Sequence, residues 1–195
     1  MKSKKTPKKP FISGILGVQG AGKTTFTKLI KKLGENENLS IQVFSIDDFY
    51  LTLEERQLLF EKDNRFLYRG PPGTHDNQLL KQVLESLEQG KVPIEVPIFD
   101  KSVQEGKGDR VGFEKWEKIP DLVLFEGWFV GLQGSGTELR YLKPLQDEND
   151  MKFAEDCREI QKNMKFCGNT LILKLYQVQQ HLNIVEYGEN KLKKR

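Results

Sequence analysis

Two kinds of apolar pattern alternate along the chain. Residues 11–16 form a short, nearly continuous apolar run that reads as a buried strand, and a glycine-rich turn then leads into a helical pattern over 23–33 closed by Gly34. Residues 41–46 are rich in β-branched and apolar side chains and read as a second buried strand ending at Asp47-Asp48. Thr52 with Glu55 three residues on is a capping-box signature, which predicts a helix running to about Glu61. Asp76 can cap a helix over 77–89, whose Leu79, Leu80, Val83, Leu84 and Leu87 make one apolar stripe and which Gly90 stops. Residues 92–99 carry Pro93 and Pro97, so they read as an edge strand or extended segment. Residues 101–112 are polar and contain glycines, the composition of a long loop. Residues 122–125 are a continuous apolar run between Asp121 and Glu126, as in a strand covered on both faces. A helix over 149–165 and a last strand over 170–176 complete the pattern. Strands alternating with helices predict an α/β fold, a mostly parallel sheet with helices on both faces, and no internal repeat interrupts it.

At 195 residues the chain fits one domain with a real core, and its 37% hydrophobic and 30% charged residues match a folded globular protein. The two cysteines, Cys157 and Cys167, have neither metal-site nor dithiol spacing, which makes a reducing cytosol the expected compartment and cytoplasmic the expected location. Charge changes the picture at the ends. Lys2, Lys4, Lys5, Lys8 and Lys9, with Lys191, Lys193, Lys194 and Arg195, take nine of the 31 basic residues, leaving 22 against 28 acidic ones in between. The body therefore does not carry the charge of a nucleic-acid-binding surface, and basic tails are usually solvated ends. The apolar run after the first tail is short, broken by Gly14 and Gln19, and lacks a small-residue cleavage site, so it is read as a strand rather than a secretory signal. No apolar run approaches the roughly 18 residues of a membrane-spanning helix.

The turn after the first strand reads Gly17-Val18-Gln19-Gly20-Ala21-Gly22-Lys23-Thr24, which satisfies G-x-x-x-x-G-K-[ST] between a strand and a helix. By composition the pattern arises by chance in only about one chain in a hundred of this length. Glycines let main-chain amides converge on phosphate oxygens, and the helix start adds partial positive charge. Gly17, Gln19, Gly20, Ala21 and Gly22 are thus expected around a nucleotide triphosphate. Lys23 is expected at its β- and γ-phosphates, Thr24 beside Mg²⁺, and Thr25 as a second hydroxyl.

In a parallel sheet the ligand sits outside the carboxyl ends of the strands, where the pattern puts Asp47, Asp48 and Glu126. Phosphoryl transfer needs a carboxylate at the acceptor hydroxyl and oxygen ligands for the metal. Asp47 is the candidate base, Glu126 the metal-side carboxylate, and Asp48 reads as a cap or turn residue. The N-K-x-D motif of GTPases and the L-S-G-G-Q of transporters are both absent, which leaves a small-molecule kinase.

Five segments then occur in a familiar order: Asp47-Asp48-Phe49-Tyr50, Arg69-Gly70-Pro71-Pro72-Gly73-Thr74-His75-Asp76, Pro97-Ile98-Phe99-Asp100-Lys101-Ser102, Gly108-Asp109-Arg110 and Glu126-Gly127-Trp128-Phe129. Over residues 11–176 the chain resembles the D-glycerate 3-kinase family, which is similar in fold to uridine kinase, phosphoribulokinase and bacterial pantothenate kinase. The resemblance implies a P-loop NTPase fold, ATP and Mg²⁺ as cofactors, and phosphorylation of the 3-hydroxyl of D-glycerate to 3-phosphoglycerate. It also implies that Asp47 rather than Asp48 is the base, and that the acceptor lies by Arg69, His75, Asp100 and Arg110. A glycerate carboxylate suits a planar, permanently charged guanidinium. Each of these four also has a plain reading, as a surface arginine, a turn-stabilising histidine or a cap.

The likeness weakens at the end, where Ile184-Val185 stand in place of the Trp-Arg of a lid helix. A lid arginine would stabilise charge on the transferring phosphoryl. The expected organisation is therefore a basic disordered tail over 1–10, a kinase domain over 11–178 and a divergent lid with a basic end over 179–195. A same-fold kinase for a nucleoside or pantothenate, and a nucleotide-binding protein without turnover, stay open at this point.

Overall fold

A strand buried on both faces must be apolar at successive positions, and β1, Phe11–Leu16, buries four residues in a row in the computed structural model. The structure describes residues 8–66, 68–131 and 147–160 and the backbone of 161–163 and 171–174. β1 leads through the glycine turn to α1 (Lys23–Asn36), followed by β2 (Ile41–Ser45), a 3-10 turn (Ile46–Phe49) and α2 (Leu53–Lys62). Then come α3 (Asn77–Gln89), β3 (Ile94–Asp100), β4 (Asp109–Trp116), β5 (Leu122–Gly127), α4 (Glu148–Asn163) and β6 (Leu171–Lys174).

The main sheet is parallel, in the order β2-β5-β1-β6. Alternation along each strand feeds two cores. Ile12, Phe44, Val123 and Phe125 pack with Leu80, Val83, Leu84 and Leu87 of α3 on one face. Ile15, Ile41 and Leu124 pack with Phe26 and Ile30 of α1 on the other. Register pairs Ser45 with Glu126 and Leu16 with Gly127, so β1, β2 and β5 end side by side.

β3 and β4 form a separate antiparallel sheet. Both are edge strands, which is why Pro97 is tolerated in β3. The sequence pattern predicts a loop over 101–112, but pairing begins at Asp109. Val111, Phe113, Glu114 and Lys115 are exposed, so β4 carries no apolar run that would announce it.

Gly34 is a second departure. It lies inside α1, which runs two residues further, because an added Cβ would sit 2.2 Å from Ile41 Cδ1. The glycine serves close helix–strand approach rather than termination. The predicted caps are present: Glu55 N donates to Thr52 Oγ1, Leu79 N donates to Asp76 Oδ1, and Gly90 ends α3 in the left-handed region. Residues 1–7 of the basic tail, and the whole divergent segment 179–195 with its lid, lie outside the described residues. Among the described residues no helix is long and apolar enough to cross a membrane.

Candidate active site

The turn between β1 and α1 is shaped by glycine. Gly20 and Gly22 have φ of 76° and 80°, a region that residues with a Cβ rarely adopt. Gly22 caps α1 without a side-chain hydrogen bond, the first turn holds no acid, and a Cβ there would meet nothing within 4 Å. The amides of the first turn are therefore left to an anion. Lys23 Nζ folds back along the loop and donates to the carbonyls of Gly17 and Val18 at 2.8 and 3.0 Å. Thr24 Oγ1 donates to Glu126 Oε1 at 3.3 Å, so a hydroxyl and a carboxylate meet beside the loop. These two oxygens suit Mg²⁺, which takes few protein ligands and completes its shell with water and phosphate.

β2 delivers the next acids through the 3-10 turn. Asp48 Oδ2 accepts from Ser45 N at 2.8 Å, while Asp47 N donates to Ser45 Oγ at 3.2 Å. Asp48 is thus the cap. Burial pushes its carboxyl up; the Ser45 and Phe99 amides oppose this, and the charges of Asp47 and Glu126 add to it. Both aspartates line a cavity of about 1550 Å³ with Lys23, Thr24 and Glu126, but the Asp47 carboxylate is not taken up by a cap. Its Oδ2 meets Lys101 Nζ at 2.6 Å, and its Oδ1 is buried with no hydrogen-bond partner among the described residues. Tyr50, also on the wall, has its phenol raised by burial, then by the charge of Asp47 and by a side-chain hydrogen bond with it.

The cavity wall also carries two guanidiniums. Arg56, from α2, is 7% exposed and lies 5.5 Å over the Phe99 ring. It donates to the carbonyls of Leu51 at 3.1 Å, Lys107 at 2.9 Å and Gly108. Arg69 Nη1 donates to the carbonyls of Gly106 and Lys107, both at 2.7 Å. Two guanidiniums therefore hold the β3–β4 turn through main-chain oxygens, and these bonds do not neutralise them. Burial lowers the Arg56 pKa, and the neighbouring charge of Arg69 lowers it further.

The sequence profile of the Phosphoribulokinase / Uridine kinase family matches residues 12–165. The chain belongs to that family. It is a P-loop kinase by fold, and its relatives act on small molecules. It is 39% identical over 140 residues to "Uncharacterized kinase mug58" of Schizosaccharomyces pombe, which covers 68% of this chain and 50% of that protein. It is 35% identical over 133 residues to "D-glycerate 3-kinase, chloroplastic" of Arabidopsis thaliana, covering 64% of this chain and 29% of the plant protein. The solved D-glycerate 3-kinase of Cryptococcus neoformans var. grubii superposes with a TM-score of 0.60 at 33% identity, over 80% of this chain and 52% of that one. The chain thus spans half or less of the length of these two curated relatives.

Within this P-loop kinase, Gln19, Gly20, Lys23, Thr24, Asp47, Arg69 and Glu126 reach one cavity. Gly17 is buried at the root of the loop, Ala21 and Gly22 carry its turn, and Thr25 is exposed on α1. Three of the four residues expected at the acceptor do not line the cavity. His75 is 4% exposed, stacked on Tyr50 with ring centroids 4.2 Å apart, and burial lowers its pKa to about 4 against the charge of Asp47. Asp100 Oδ1 accepts from Ser102 N and Oγ at 2.8 and 2.6 Å. Arg110 Nη2 donates to Asp76 Oδ2 at 3.1 Å and to the Tyr50 carbonyl at 3.2 Å. His75 and Arg110 brace the wall from behind, and Asp100 holds the turn after β3. Arg56 and Lys101 also line the cavity; Lys101 lies in a quoted segment without a role assigned to it, and Arg56 does not stand out in sequence, since a charged residue on a polar helix reads as solvated.

Proposed function

We propose that the chain is an ATP-dependent kinase that phosphorylates the 3-hydroxyl of D-glycerate to give 3-phosphoglycerate. The observation that carries this reading is the cavity itself. It joins an anion-binding loop, a buried carboxylate oxygen without a hydrogen-bond donor and two guanidiniums without a carboxylate on them among the described residues. That order matches a triphosphate, a reacting hydroxyl and an acceptor carboxylate. The plant and fungal proteins named D-glycerate 3-kinase support the choice of acceptor.

In this reading the α1 amides and Lys23 hold the β- and γ-phosphates, with Lys23 exchanging its loop carbonyls for phosphate oxygens. Thr24 and Glu126 hold Mg²⁺, which neutralises charge on the phosphates when bound. Arg69 takes the acceptor carboxylate and Asp47 Oδ1 accepts the hydrogen bond of the 3-hydroxyl. The 3-oxygen then bonds to the γ-phosphorus, the bond from that phosphorus to the bridging oxygen breaks, ADP leaves with the electron pair, and the hydroxyl proton passes to Asp47. The cytosolic placement expected from the two cysteines stays with this reading.

The test is Mg-dependent ADP formation with D-glycerate, L-glycerate, uridine and pantothenate as acceptors. D-glycerate is expected to stimulate release and the neutral nucleoside is not. Stimulation by uridine or pantothenate alone assigns another acceptor, and ATP binding with no acceptor-dependent release assigns binding without turnover.

A further inference from the structure

Lys101 follows β3 of the small sheet, whereas Asp47 follows β2 of the parallel sheet, so their contact joins the two sheets at the cavity wall. The ammonium is 2.6 Å from Asp47 Oδ2. Asp47 Oδ1 is buried and accepts no hydrogen bond among the described residues. A buried carboxylate oxygen left without a donor is unfavourable, and its persistence beside an open cavity points to a donor supplied by a ligand. A carboxylate pinned through one oxygen has lost rotation about its Cβ–Cγ bond and presents the other oxygen in a fixed direction.

The pair is poorly explained as a fold-stabilising contact. The Lys101 side chain is 52% exposed, and ion pairs in that setting contribute little to stability. The surroundings of Asp47 give the ammonium a different task. Asp48 is the next residue and feels the charges of both Asp47 and Glu126, Tyr50 is held protonated by burial and by its charge and hydrogen-bond interaction with Asp47 and so adds a neutral donor, and His75 behind it is held neutral. Lys101 is the cation in hydrogen-bond contact with this acidic cluster.

We propose that Lys101 is the positioning residue for Asp47: its ammonium grips Oδ2 so that Oδ1 meets the acceptor hydroxyl. This rests on the kinase reading above. It makes the β3–β4 segment part of the catalytic arrangement, because the hairpin both clamps its turn with Arg56 and Arg69 and orients the base.

The experiment compares Lys101→Met, which keeps the apolar stem, with Lys101→Arg, which keeps the charge, in the full chain. D-glycerate-dependent ADP formation gives kcat and KM, and ATP affinity and melting temperature are measured separately. Lys101→Met is expected to lower kcat by at least about tenfold, as misplacement of a reacting group does, with ATP affinity within about twofold of the parent. Lys101→Arg is expected to recover part of the loss. Added to Asp47→Asn, Lys101→Met is expected to cause no further loss, because the group it positions is gone. A kcat for Lys101→Met within about twofold of the parent overturns the proposal, as does a full additional loss on top of Asp47→Asn. A parallel fall in ATP affinity and melting temperature that Arg does not reverse also overturns it, by assigning a scaffold role. A parent chain without D-glycerate-dependent turnover removes the functional reading and the proposal together, whereas an active parent matched by Lys101→Met removes the proposal alone.

Discussion

His75 offers a measurement that separates a buried ring from a ligand-facing one. It is stacked on Tyr50, has Phe129 edge-on at 5.3 Å, and neither ring nitrogen has a hydrogen-bond partner among the described residues. Burial moves its pKa from 6.5 down to about 4. Between those values the unfolded chain binds a proton that the folded chain refuses, so stability rises with pH across that window. The contribution is intact above about pH 6.5 and is lost progressively as pH falls towards 4. For this shift the loss is about 1.4 kcal/mol at about pH 5.5 and about 3 kcal/mol at about pH 4. In a protein of this size the larger figure corresponds to a fall in melting temperature of about 6–12 °C. His75→Phe keeps an aromatic ring on Tyr50 and has nothing to protonate. Urea unfolding of parent and variant across this range isolates the imidazole, because the carboxylates titrate in both. The difference in stability between the two proteins should change by the stated amounts on acidification. A difference independent of pH would show that the imidazole protonates as easily in the fold as in the unfolded chain, and would return His75 to the cavity.

Asp47→Asn removes the proton acceptor without changing shape and should lower kcat by about 10²–10⁴-fold while leaving nucleotide affinity within about twofold; an unchanged kcat takes the base role from Asp47. Gly127→Ala places a Cβ 2.6 Å from Cγ2 of both Ile46 and Val130, which are fully buried. Overpacking of this kind should destabilise the protein by about 1–3 kcal/mol in urea unfolding, and a neutral result would show that the end of β5 beside Glu126 has slack.

The glycine loop was legible in sequence because its pattern is local: strand, glycine turn and helix start adjoin along the chain, and Lys23 and Thr24 stand at the helix start where the pattern puts them. The caps at Thr52, Asp76 and Gly90 were legible for the same reason. Gly34 was read as a helix stop because the close approach of Ile41 is a tertiary fact. β4 was missed because a two-stranded sheet with one wet face needs no apolar run. The acceptor end was legible as motifs but not as directions. His75 and Arg110 lie in the quoted segments yet bond or stack away from the cavity, Asp100 caps its own turn, and Lys101, from the same segment as Asp100, reaches the cavity beside Arg56 of a helix that only folding brings near.

The small sheet is a separate two-stranded hairpin that, with its turn, brings Phe99, Lys101, Glu105, Gly106 and Lys107 to the cavity. The glycine loop with its Lys23 and Thr24 lies between β1 and α1, outside that hairpin. In the kinase reading proposed above, substrate choice can therefore drift by exchanging one hairpin while the loop is inherited unchanged.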